Sequence, residues 1–471
     1  MTASPGLLRL WAAALAFSGG AAAGWVHPFG REAAALTSMA LLIVLRRRPF
    51  VSAMGLVALA AAGGWWCASI RAGANPPARV LAERHPYCRL VAVVKEDGGW
   101  TGRLLDVRRL SCPGVGASGR AGLVAGEVRA EPGAVLAGRA LLVPLGDDRL
   151  SEARRRLGAA AVLEGAELHL LSPPRGVWAA AAAIRAGLRR TFAGHGEAGA
   201  LVRGLTIGDT SSMSRATLDS FRAAGLSHVV AVSGSNLAIV AAALGFLVRG
   251  LPARARVLSV AGALAAFVMV TGPDASVLRA AAMAAVGMAA LFFGRAARPL
   301  NALAVALIGL IALRPGLATS VGLWLSAAAT AGIVLFSETV ARRLWGPRAL
   351  TDALAVSLAA QGAVLPILVG VFGSVSLVSP AANLLAAPAV APATVTGLAA
   401  GVVGAVSPQA AAPLGWVAAS CAAWVLEIGQ RFGSPAWAAA EVPKIAACPL
   451  GAALLALAAV ILLRERAEEG P

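Results

Sequence analysis

The chain is 471 residues long, 58% hydrophobic and 14% charged, with a mean hydropathy of +0.75. Soluble domains are about 45–50% apolar and about 25% charged, so this composition excludes a soluble globular enzyme, a disordered chain and a disulfide-dense secreted module. A net charge of +18 is read as arginine gathered in cytoplasmic loops of a membrane protein rather than as a nucleic-acid surface. The five cysteines and five histidines are scattered, which excludes a Cys/His zinc cluster, a CxxC redox pair and an HxHxDH-type site. No metal and no cofactor is expected. The single tyrosine argues against an aromatic RNA-stacking motif.

From the N-terminus, Leu7–Val26, Ala33–Leu45 and Val51–Ile70 read as short apolar spans, the first an uncleaved anchor. Arg9 and Arg46–Arg48 belong on the cytoplasmic side, which places the segment after the third span outside. Residues Ala72–Pro174 change character. Leu90–Val94, Arg103–Leu110, Leu123–Arg129, Arg139–Pro144 and Leu168–Leu171 are strand candidates, separated by Gly98-Gly99, Pro113-Gly114 and Pro132-Gly133. Such a run of strands suggests a small barrel, of which an OB-fold is one option. The segment holds 14 Arg/Lys against 11 Asp/Glu, too even a balance for strong nonspecific DNA binding on its own. Cys88 and Cys112 both lie in it. In an exported domain they either pair, closing about 24 residues for about 3 kcal/mol, or stay as two partly buried thiols. Cys67, Cys421 and Cys448 read as small apolar packing residues.

Trp178–Phe192 is amphipathic, with Arg185, Arg189 and Arg190 along one side and Trp178, Ile184 and Leu188 open to lipid, as in an interfacial helix. Spans are expected at Val229–Val248, Val257–Thr271, Ser276–Phe293, Leu300–Leu313, Thr319–Phe336, Ala353–Phe372, Leu377–Val406, Ala411–Ile428 and Ala447–Leu463. Arg249/Arg254/Arg256, Arg295/Arg298 and Arg342/Arg343/Arg348 fall in every second loop, which agrees with an outward β domain. Leu377–Val406 is long and carries Pro380, Pro388 and Pro392, so a broken or re-entrant segment is expected there.

The polar residues that matter cluster in Arg203–Val240, where Ser227, His228, Ser233, Ser235 and Asn236 mark the start of a span. Polar groups at membrane depth are costly and face a bundle interior or a water-filled path. Gly204–Asp209 (G-L-x-x-G-D), Gly225–His228 (G-L-S-H) and Ala231–Asn236 (A-V-S-G-S-N), at this spacing, resemble the ComEC-type competence channel family. Further matches come in order: Thr271-Gly272 with Arg279-Ala280 and Met283; Arg314-Pro315 through Leu323–Ser326, with Leu323 and Trp324 replacing the usual aromatic and Gln; Gln361 with Pro366; Asn383-Leu384 with Pro388. The resemblance covers nearly the whole chain.

It implies a polytopic α-helical membrane protein of about 11–12 spans in the cytoplasmic membrane, with one small extracellular OB-like β-barrel. The parts are N-terminal spans (1–71), the β domain (72–174), amphipathic interfacial helices (175–225) and a transmembrane channel domain (226–471). The implied function is carriage of single-stranded DNA during natural transformation, with no enzymatic role. Implied partners, besides the strand and membrane lipid, are an external DNA receptor, a separate nuclease and a cytoplasmic helicase-like ATPase. Many members carry a C-terminal metallo-β-lactamase-like domain; this sequence has no histidine after His228 and reads as a short form without that metal site.

A strand needs polar or cationic groups along its path. The candidates are Asp209, His228, Ser233, Ser235, Asn236, Arg279, Gln361 and Asn383, with Arg203, Arg215 and Arg222 at an entrance. Arg279 inside a span costs about 2.5–3.5 kcal/mol and needs a partner, for which Asp274 and Asp209 are the candidates; otherwise it snorkels toward the surface. No GxxxxGK[ST] stretch occurs, so the motor is expected elsewhere. Two other readings compete. One is an intramembrane serine hydrolase using Ser233 and His228. The other is a secondary transporter or a lipid or small-molecule exporter built on the broken Leu377–Val406 segment.

Overall fold

The computed structural model describes Ala82 and most of residues 87–446, leaving out 98–102, 113–114, 118–120, 126–129, 295–297, 315–316 and scattered positions. The expected spans within 1–71 and at Ala447–Leu463 lie outside the described residues. Described residues 82–183 and 307–320 fall in one compact unit, and 184–306 with 321–446 in a second.

The first unit is built on β1 (Tyr87–Asp97), β2 (Arg103–Cys112), β3 (Val115–Ala117), β4 (Ala121–Ala125), β5 (Val135–Pro144) and β6 (Ala161–Ser172). Their order is β1-β5-β6-β4-β2-β3, and β1 also pairs with β2, so the ladder from β1 through β5, β6, β4 and β2 returns to β1. The pairings are antiparallel except for β4 with β6, which run parallel. Alternation decides the inside: Cys88, Leu90, Ala92 and Val94 of β1 are buried with Leu136, Ala140 and Leu142 of β5, as the two-residue period of a strand requires. Cys88 and Cys112 are joined by a disulfide across 24 residues. Gly138 sits where a Cβ would strike the Glu167 carbonyl, beside a break in the β5–β6 register. The expected strands all fall within β1, β2, β4, β5 and β6, the end of the third (126–129) lying outside the described residues.

The helices are α1 (Val177–Phe192), α2 (Gly196–Ile207), α3 (Arg215–Ala223), α4 (Ser227–Val230), α5 (Gly234–Leu247), α6 (Ala253–Thr271), α7 (Ala275–Phe292), α8 (Pro299–Leu313), α9 (Val321–Ala341), α10 (Arg348–Phe372), α11 (Ser379–Gly404) and α12 (Pro408–Gly433). A short ladder pairs β7 (Ser374–Ser376) with β8 (Ala439–Glu441). Among the described residues six helices, α6, α7 and α9 to α12, are long and apolar enough to cross a membrane; α5 and α8 are apolar but shorter.

Two expectations are corrected. Leu377–Val406 is not broken: α11 is a continuous helix of 26 residues, about 39 Å long. Pro380 stands in its first turn, where the missing N–H has no helical acceptor to lose. Pro388 and Pro392 withdraw the N–H groups that would serve the Leu384 and Pro388 carbonyls, yet the helix runs on through both. Nearby, Trp424 Nε1 donates to the Leu385 carbonyl (3.0 Å), Thr394 Oγ1 to Val390 (2.8 Å) and Thr396 Oγ1 to Pro392 (2.6 Å).

Nor is Leu188 of α1 open to lipid, although Trp178 is exposed. Leu188 is fully buried and occupies the space a Cβ on Gly401 would need. Trp178 lies over Gly133, where a Cβ would meet its side chain at 2.8 Å. Arg185 is buried too and donates through Nη1 to the Met269 and Val270 carbonyls, both at 3.1 Å. Arg190 donates to the Gly404 carbonyl (3.1 Å). Two arginines of one helix thus cap the C-terminal ends of α6 and α11, where carbonyls lack helical partners and the dipole favours a cation.

Backbones touch where α1 meets α11. A Cβ on Gly187 would lie 2.5 Å from the Gly401 carbonyl oxygen and 2.6 Å from the Ala405 nitrogen, and backbone cannot yield as a flexible side chain does. Gly187→Val should therefore cost at least about 1–3 kcal/mol and lower the melting temperature of the detergent-solubilised protein. Gly262→Ala, where a Cβ meets nothing within 4 Å, should leave it unchanged or slightly raised.

Candidate functional site

Arg279 is the fifth residue of α7, buried at 6% exposure. Its Nε donates to Ser326 Oγ of α9 (2.9 Å) and its Nη1 to the Met283 sulfur one turn along (3.0 Å). Ser276 Oγ shares a hydrogen bond with Ser326 Oγ (3.1 Å). Nη2 lies against the first residue of α5: a Cβ on Gly234 would meet it at 2.6 Å. Glycine at that position leaves the room the guanidinium occupies. Among the described residues no carboxylate pairs with Arg279, so neither Asp209 nor Asp274 is its partner.

The turn before α5 joins the same region. Ser233 Oγ hydrogen-bonds Ser235 Oγ (2.6 Å) and donates to Asn236 Oδ1 (3.3 Å). Buried Asn236 donates through Nδ2 to the Leu205 carbonyl (2.9 Å), one of the last carbonyls of α2, which the helix itself cannot satisfy. Among the described residues the partners of Ser233 are thus Ser235 and Asn236, and His228 stands apart, exposed on α4.

A second cluster gathers residues distant in sequence. Gln361 Nε2 of α10 donates to the Ser376 carbonyl (2.8 Å), and Ser376 Oγ to the Ala223 carbonyl at the end of α3 (2.6 Å). Asn383 Nδ2 donates back to the Ser379 carbonyl and hydroxyl (2.9 and 3.0 Å). Gly225, with φ at +73°, presses on Ser379 at a distance no Cβ could share; both its dihedral and its space demand glycine.

The third cluster surrounds Asp209, just past α2. Its Oδ1 accepts Ser211 N (3.2 Å) and Oγ (2.6 Å), while Arg189 Nε and Arg203 Nη1 stand 3.8 and 4.0 Å from Oδ2. Burial pushes the carboxyl up, but the Ser211 hydrogen bonds and the two guanidinium charges outweigh it and hold the pKa below the usual carboxylate range. His228 is not among these partners of Asp209. Of the expected entrance residues, Arg203 faces Asp209, Arg215 opens α3 and is exposed, and Arg222 pairs on the surface with Asp219 (2.5 Å).

Sequence reasoning singled out Arg279 but not the roles of Ser326, Met283 and Ser276. A signal existed: Arg279 and Ser326 stand fifth and sixth in their helices, hence at similar depth if both helices start at one membrane surface. Ser326→Ala should leave the buried guanidinium without its oxygen acceptor, at about 1–3 kcal/mol. Adding Arg279→Met should restore the thermal stability, because it leaves no anion stranded; a double-mutant cycle in detergent reads the coupling directly.

The model of the competence protein family matches residues 205–467. ComE operon protein 3 of Bacillus subtilis (strain 168) is 29% identical over 190 residues, which is 40% of this chain. The match spans about a quarter (24%) of that relative's length. No solved structure matches the chain. The matched region takes in Arg279, Ser326, Gln361 and Asn383 and covers more than half of the sequence, and the chain belongs to the competence protein family, of the ComEC type.

Proposed function

We propose that this chain carries single-stranded DNA across the cytoplasmic membrane during natural transformation, with the ring of five strands, read as an OB-like barrel, on the outer side. The observation that carries the reading is Arg279: a buried cation whose described partners are a hydroxyl and a thioether. An arginine neutralised by a carboxylate offers little to a passing phosphate; one held by neutral groups keeps its charge. Ser233, Ser235, Asn236, Gln361 and Asn383 supply further hydrogen-bonding groups along the path, while Asp209, His228, Arg203, Arg215 and Arg222 lie toward its mouth. The alternating arginine-bearing loops support the orientation.

The energetics call for partners. Moving each phosphate charge against 100 mV costs about 2.3 kcal/mol, and the sequence carries no phosphate-binding P-loop. A cytoplasmic helicase-like ATPase pulls the strand in this scheme, an external receptor delivers the DNA, and a separate nuclease removes the complementary strand. The chain itself performs no bond-breaking step.

Uptake of labelled single strands by transformable cells tests the proposal. Deletion of the chain should abolish uptake and transformation. Arg279→Met should lower uptake by at least about tenfold, or ~1.4 kcal/mol, at unchanged protein level, and Arg279→Lys should recover most of it, since charge matters more than fork geometry for a moving strand. Normal uptake in the deletion strain overturns the function; normal uptake in Arg279→Met overturns the assigned path.

A further inference from the structure

Among the described residues an apolar cleft runs between α6 and α7. Its floor is alanine at helical spacing, Ala261 and Ala265 on one side and Ala281, Ala285 and Ala289 on the other. Small residues repeated every fourth position leave a trough along two adjacent helices. The trough, about 450 Å³, is lined wholly by apolar side chains and ends at Phe292 and Phe293. There it opens into a second cavity of about 570 Å³ that shares Val257, Phe292 and Phe293 with it and contains Arg254. The guanidinium of Arg254 stands 5.6 Å above the Phe292 ring. Arg249 and Arg256 belong to the same turn and are exposed, Arg249 lying over Phe246 (4.1 Å).

Length selects the occupant. From Val257 to Val268 the trough runs about 17 Å at 1.5 Å per residue. One leaflet of a bilayer is about 15 Å of hydrocarbon. Beyond Val268, Val270 of α6 and Val277 of α7 are buried and do not line the cleft. A further transmembrane helix needs a groove along its whole length; one acyl chain needs a single leaflet. At the mouth, a guanidinium matches a phosphate through paired N–H···O bonds, and several arginines at a membrane surface favour anionic headgroups.

The geometry points to a binding site for an anionic phospholipid, its phosphate on Arg254 and one acyl chain in the α6–α7 trough. The site is separate from Arg279 and does not depend on the DNA reading. The groove explains the pairing of a long alanine floor with a cationic, aromatic mouth, which neither cavity explains alone.

The test uses the full chain purified in mild detergent, with phosphatidylglycerol or phosphatidylcholine added and bound lipid read by native mass spectrometry. Wild type should retain phosphatidylglycerol in preference to phosphatidylcholine. Arg254→Gln should cut that retention by about tenfold, ~1.4 kcal/mol, while Arg348→Gln, an exposed arginine on another helix, should not. Ala285→Leu, which fills the trough and keeps every arginine, should lower retention of both lipids. Equal retention of the two lipids by wild type, or unchanged retention in Arg254→Gln, overturns the proposal. A photoreactive side chain at position 285, activated in native membranes, identifies the occupant: a phospholipid adduct supports the site, whereas an adduct to another segment of this chain or to a second protein overturns it.

Discussion

Helices surrounded by lipid gain nothing by hiding apolar surface from one another, so close packing and interhelical hydrogen bonds must hold them together. The second unit obeys this constraint at each major contact. Gly187 and Gly404 bring α1 onto α11, Gly429 and Gly433 of α12 receive Phe221 and Ser220 of α3, Gly332 of α9 receives Ala363 of α10, and Gly204 of α2 lies under the Val230 carbonyl. Backbone approach at these glycines brings the polar groups within reach. Asn236 meets Leu205, Gln361 meets Ser376 and Arg190 meets Gly404.

The same constraint gives the buried guanidinium its character. A charge at membrane depth is costly unless paired, solvated or placed in a polar path. Arg185 meets the cost with helix C-terminal carbonyls. Arg279 has a hydroxyl and a thioether, weaker partners than a carboxylate. Stability alone would favour an apolar residue of similar volume at such a site, so a cation retained there fits a group that must meet an anion in transit. Asp209 contrasts with it: Arg189, Arg203 and Ser211 surround it and stabilise its ionised form at a loop outside the spans.

Periodicity and turn chemistry were enough to read the strands and the long apolar helices, because both depend on local pattern: β1 alternates, and α6, α7, α9 and α10 are apolar runs, each with an arginine-bearing loop at one end or both. Contacts decided what could not be read. Pro388 and Pro392 look like breaks in isolation, yet α11 runs on through both, with Trp424 of α12 hydrogen-bonded to the Leu385 carbonyl beside them. Leu188 looks lipid-facing on a helical wheel, yet Gly401 of α11 takes it in. For Arg279, sequence proximity suggested Asp274, and only the approach of α9 reveals Ser326 as its acceptor. The absence of a side chain at Gly234 leaves the space that the guanidinium fills.

Transport by the purified chain tests the central claim most directly. In liposomes holding the full-length protein, with an inside-positive potential replacing the motor, fluorescent single-stranded oligonucleotides should become protected from added nuclease. Duplexes of the same length should stay accessible, and protein carrying Arg279→Met should protect few single strands. Equal protection by wild type and Arg279→Met would contradict the account of Arg279 as part of the path; no protection above protein-free liposomes would contradict the claim that this chain forms the path.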